Sequence, residues 1–161
     1  MKKLISVLVC LVLVSGVAAA DPVLDEKTVK GISEEIKQAV KNNDLSVFRK
    51  YLYRGSKLVV DLDPSTSAGL TEVSYEDYMN LMQLALPLMR DADIQDEVIS
   101  LSIDKAKNQA TIKEKSSVTM NMMGTTIRDV SVSETTYGIV AGQIKVLSAS
   151  DELISSEAIE P

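Results

Sequence analysis

From Asp91 onward the chain is one long alternation of apolar and polar residues, broken only by short turns. Ile99, Leu101 and Ile103 alternate with Ser100, Ser102 and Asp104, the period of a half-buried strand. Lys105-Ala106-Lys107-Asn108 turns the chain into a strand over 110–122. Met123-Gly124 turns it into a second over 125–140, and Ala141-Gly142 leads to a last one over 144–150. The two middle segments each exceed ten residues, more than about 33 Å at roughly 3.3 Å per residue. Strands of that length bend and twist around something. A long, curved antiparallel sheet is therefore the element every other segment has to fit.

What precedes the sheet reads as helical. Val29, Ile32, Ile36 and Val40 recur at helical spacing between charged residues. Asn43-Asp44 breaks that helix and caps a shorter one with Leu45, Phe48 and Leu52 on one face. Lys57 to Asp63, K-L-V-V-D-L-D, alternates enough for a strand, and Pro64 to Leu70 is rich in turn residues. Ser74 caps a third helix with Asp77 three residues on, an aspartate version of the capping box. Helix is thus predicted over Leu24–Tyr53 and Ser74–Met89. The third helix is apolar around most of its circumference, so burial on most sides is expected.

The first twenty residues have a separate logic. Lys2 and Lys3, the apolar run Leu4 to Val14 and the small residues Ala18-x-Ala20 follow the order of a secretory signal peptide. Cleavage after Ala20 is expected, with a bacterial periplasmic destination and no membrane span afterwards. Cys10 lies inside the apolar run behind Val9, the wrong place for a lipid anchor. Removing residues 1–20 takes two lysines and no acids from 17 basic and 23 acidic residues, leaving 15 against 23, or −8. Such a surface repels phosphate, which excludes a nucleic-acid binder. With no histidine anywhere and no cysteine after Cys10, thiol chemistry, Ser-His triads and histidine metal sites are excluded as well.

The order helix, short helix, strand, helix and then a meander of long strands resembles the nuclear transport factor 2-like superfamily, a cystatin-like, cone-shaped α+β fold. Three stretches carry the likeness. A-V-K-N-N-D-L-S-V-F-R-K-Y-L at 39–52 matches the break between the first helices, N-Q-A-T-I at 108–112 an inner strand, and A-G-Q-I-K-V at 141–146 the last hairpin. Many members carry an aromatic where this chain has Ile144. The likeness implies one domain over 21–161, ending in a loose tail over 156–161. It also implies N-terminal helices in the concave face of the sheet, a deep apolar pocket, and a possible homodimer through the sheet. Members include isomerases, dehydratases and cyclases as well as binding proteins, so the likeness does not choose a function.

Without histidine, proton transfer in such a pocket falls to carboxylates and tyrosines whose pKa values apolar walls have moved. Asp61, Asp63, Glu114, Glu134, Tyr51, Tyr75, Tyr78 and Tyr137 are the candidates. Glu114 shares a strand face with Ala110, Ile112, Val118 and Met120, so a concave face would aim it into the cone beside Ser116. If Met122 to Thr125 forms the turn, Glu114 lies opposite Ser133 and Lys113 opposite Glu134, a surface ion pair. A shift of one would oppose Glu114 to Glu134, two like charges. Tyr78, Met82, Ala85, Met89, Ile112, Glu114 and Met120 are the expected pocket lining, suited to a pliable apolar ligand.

Two patterns suggest metals, and neither holds up. D-x-D-P-S-T-S-A-G-L-T-E, Asp61 to Glu72, spaces oxygens like a calcium loop, but Thr66 stands where the turn needs glycine and Pro64 stiffens it. Asp91 to Glu97 has no ligand spacing. Met120, Met122 and Met123 could offer thioethers to Cu(I), yet the chain supplies no histidine or cysteine partner, and alternation explains Met120 and Met122 as one apolar hairpin face. No metal or cofactor is expected. Three readings stay open: a non-catalytic exported module binding an apolar small molecule, a small lyase or isomerase with Glu114 or Asp61 as base, and a subunit docking a partner protein.

Overall fold

A computed structural model describes residues 22–61, 70–122 and 124–159. The expected signal peptide, Asp63 with most of the oxygen-rich loop, and Met123 lie outside these residues.

Asp25 accepts a hydrogen bond from the Thr28 backbone N–H and starts α1, Glu26–Asn42, which buries Val29, Ile32, Ala39 and Val40. Asn43 ends it in the left-handed conformation, a conformation asparagine tolerates better than most residues. Asp44 then caps α2, Leu45–Tyr51, whose buried face carries Phe48 and Tyr51. Strand β1, Lys57–Asp61, follows, then β2, Leu70–Val73, and then α3, Tyr75–Met89, capped by Ser74 through the Asp77 N–H. Strands β3 (Asp93–Asp104), β4 (Gln109–Met122), β5 (Thr125–Val140) and β6 (Gln143–Ile159) complete the elements of the described residues.

The sheet runs β2-β1-β6-β5-β4-β3. All of its pairs are antiparallel except β1–β6, which is parallel, with Val60 beside Asp151. Three helices pack against this curved, unclosed sheet, the α+β cone expected from the order of elements. Leu58, Leu86, Ile112 and Val29 are the largest fully buried side chains. They come from β1, α3, β4 and α1, so the core lies between helices and concave face.

Glu114 opposes Ser133 and Lys113 opposes Glu134, as the turn argument required. Gly124 takes φ +88° at that turn. Lys113 and Glu134 nevertheless make no ion pair among the described residues, because cross-strand neighbours on an open face are free to point into water. Four further expectations need correction. Leu70, expected to close a turn, instead opens the strand Leu70–Val73, drawn out by pairing with β1 (Leu58 with Val73). Residues 156–159 are no loose tail; they extend β6 along Thr126 to Asp129 of β5. Ile99 leaves the face of Leu101 and Ile103, because the register with β4 shifts between Val98 and Ser100, and it is 51% exposed. Helix α3 buries only Met79 and Leu86, leaving Leu81, Leu84 and Leu88 exposed, because one side alone faces the sheet and the other helices.

Candidate functional site

Between α1 and the concave face lies a cavity of about 280 Å³. Helical spacing places Ser33, Ile36, Lys37 and Val40 on one side of α1, and these four form its roof. Alternation along the strands supplies the floor. Ile94 and Asp96 come from β3, Glu114, Ser116 and Val118 from β4, Ser131, Ser133, Thr135 and Tyr137 from β5, and Asp151 from β6. Met89, at the end of α3, closes one side. The wall is therefore of two kinds, one apolar and one built of hydroxyls and carboxylates.

The polar groups hold one another. Ser33 Oγ donates to Glu114 Oε1 at 2.8 Å. Lys37 Nζ lies 2.9 Å from Asp96 Oδ2 and 3.3 Å from Glu34 Oε2. Ser116 Oγ donates to Asp96 Oδ1 at 2.7 Å. Ser33, Lys37, Asp96 and Glu114 also line a smaller recess of about 160 Å³ on the β3 side, so they form the partition between the two spaces. Burial pushes the Glu114 carboxyl above the ordinary carboxylate range. The Ser33 hydroxyl opposes this, the Asp96 charge adds to it and Lys37 works against it. Asp96 holds the Lys37 ammonium above its ordinary value, against the cost of its burial. Asp151 remains open to solvent on the cavity wall. Desolvation where it faces the cavity still raises its carboxyl, the Ser131 hydroxyl opposing and the Asp61 charge adding to it. Burial also raises the Tyr137 phenol, and brings Tyr78 up to about 12.

Of the lining expected from sequence, Glu114 and Met89 reach this cavity. Ile112 is fully buried in the core instead, and Tyr78 and Met82 pack against that core. Ala85 and Met120 are half-buried away from the cavity. The apolar pocket lined by a methionine helix is thus corrected to a mixed one to which α3 contributes Met89 alone. The reason is the same one-sided packing that exposes its leucines. Asp61 ends β1 outside the cavity, and its Oδ1 is buried with no hydrogen-bond partner among the described residues. Glu134 follows Ser133 and so points to the opposite face. The Tyr51 hydroxyl donates to Glu35 outside the cavity.

Sequence reasoning missed Ser33, Lys37, Asp96, Ser131 and Asp151. Spacing along α1 could have flagged Ser33 and Lys37 as neighbours of Ile36 and Val40. Asp96 was hidden in the acidic run 91–97, and Asp151 lay past the expected end of its strand.

Solved structures with this arrangement of elements share little sequence with it. A hexachlorocyclohexane dehydrochlorinase, LinA type 2, superposes with a TM-score of 0.66 at 10% identity, over 83% of this chain and 88% of its own. A nuclear transport factor 2-like protein from Cytophaga hutchinsonii gives 0.58 at 13% identity, over 81% and 100%. This chain has the nuclear transport factor 2-like fold. A putative ketosteroid isomerase from Shewanella frigidimarina shares that fold at a TM-score of 0.59 and 14% identity, over 76% of this chain and 92% of its own. In sequence, no family model and no curated protein matches the chain. The nuclear transport factor 2-like fold thus hosts enzymes and proteins of unknown function alike, and the site must carry the functional argument.

Proposed function

We propose that this chain is an exported, periplasmic binding module that holds a small molecule in the cavity between α1 and the sheet. The observation that carries the reading is the pairing of unlike walls. Ile36, Val40, Met89, Ile94 and Val118 offer apolar surface opposite a floor of serines and carboxylates. Few convergent polar groups against an apolar wall are what fix a small ligand's orientation. Export is supported by the basic, apolar and small-residue order of residues 1–20. N-terminal sequencing should return Asp21-Pro22, and a mature chain still carrying Leu4 to Val14 would refute that part.

Proton transfer is the second reading, favoured by the Glu114 carboxyl, which burial makes a stronger base than an ordinary carboxylate. Mass spectrometry of small molecules released from gently purified protein tests both, comparing wild type with Ser133→Leu, which fills the floor. A compound present in wild type and lost from the variant is expected; identical spectra would remove the binding reading. Should Glu114→Gln retain that compound but stop its conversion, the second reading takes over.

A further inference from the structure

The ionisable groups facing the cavity are out of balance. Asp96, Glu114 and Asp151 are three carboxylates against the single ammonium of Lys37. That ammonium is already committed to Asp96. Among the described residues Glu114 receives a hydrogen bond only from the neutral Ser33 hydroxyl. Asp151 is met by the neutral Ser131 hydroxyl and repelled by the charge of Asp61, itself holding a buried oxygen without a donor among the described residues. Among the described residues neither Glu114 nor Asp151 forms an ion pair, and Lys37 reaches Glu114 only through space.

The placement of these two carboxylates narrows what could pair with them. Glu114, Ser133 and Asp151 form one row across β4, β5 and β6. The two acids stand two strand spacings apart, roughly 10 Å between Cα atoms. Both acids line the same cavity as Ser133. A metal ion needs several ligand oxygens within about 2.6 Å, and among the described residues no three His, Cys, Asp or Glu side chains converge to hold one. An ammonium has three donors and tolerates wider, partly hydrated spacing. The volume, about 280 Å³, lies just below the usual range for drug-sized ligands, which keeps the molecule small.

Building on the binding reading, we infer that the cavity selects a small organic amine. Its ammonium sits between Glu114 and Asp151 over the Ser133 hydroxyl, and its hydrocarbon part lies against Ile36, Val40 and Met89. The charge supplies selectivity, and the apolar side chains of Ile36, Val40 and Met89 favour an organic cation over a bare inorganic one.

Three probes of nearly equal shape test this by NMR titration of the whole mature chain: 2-phenylethylamine, 2-phenylethanol and phenylacetate. The amine should shift the amide signals of Glu114, Ser133 and Asp151 and bind about tenfold or more tighter than the alcohol, as expected for a charge-assisted contact. Glu114→Gln and Asp151→Asn should each weaken the amine about tenfold more than the alcohol. Equal or tighter binding of the alcohol or phenylacetate would overturn amine selection and leave a binding cavity standing. If none of the three moves those signals, the amine assignment and the cavity reading fall together.

Discussion

Glu114 sits where burial and hydrogen bonding pull its proton in opposite directions, and burial is the stronger. The folded chain therefore holds this proton more tightly than the unfolded chain, whose ordinary value is 4.5. As pH rises, the unfolded state deprotonates first, so stability falls until pH passes the raised folded value and is level above it. Glu114→Gln removes that dependence while its amide oxygen still accepts from Ser33. The variant should be more stable than wild type at about pH 7, the gap closing below about pH 4 as the wild-type carboxyl stays protonated in both states. Urea unfolding across that range checks it, and a gap independent of pH would count against a buried, uncompensated Glu114. At Met120, half-buried opposite Ile127, volume matters more than charge. Met120→Leu should cost under about 1.5 kcal/mol. Met120→Asn should cost more, since it buries an amide with no partner waiting. Equal losses in urea would mean that Met120 packs against nothing.

The hairpin of β4 and β5 is the element the sequence describes best, since one turn and one like-charge clash settle every pair in it. Its turn leans on Gly124, where φ is +88° and an added Cβ would touch nothing within 4 Å. Gly124→Ala therefore isolates backbone strain from crowding and should destabilise by about 1 kcal/mol. A neutral result in thermal unfolding would show that the turn relaxes. Elements were read less well where a partner decides them. Leu70–Val73 is too short to announce itself, and only β1 beside it makes it a strand. Helix α3 is apolar all round, but periodicity reports how much apolar surface a helix has, never what lies against it. Leu84 ends up 72% exposed.

For the molecule as a whole, association through the outer face of the sheet is the expectation the fold resemblance brings. Val130 and Val132 lie on that face among Lys115, Glu134 and Thr136, on the side opposite the cavity-lining Ser131 and Ser133. Light scattering at high concentration should give twice the chain mass, and Val132→Glu should return it to one copy. A wild-type monomer would remove the dimer and leave the fold intact. By itself the sequence determined the helix breaks, the caps at Asp44 and Ser74, the long strands and the β4–β5 register. These rest on periodicity, turn chemistry and charge between near neighbours, all written locally along the chain. Only the tertiary structure decided that β1 inserts parallel beside β6, and that Ser33, Lys37, Asp96, Glu114 and Asp151 share one cavity. Those five come from four elements, and which inward side chains meet depends on strand order and sheet curvature. Both are set by the packing of the whole core, which no stretch of residues encodes alone.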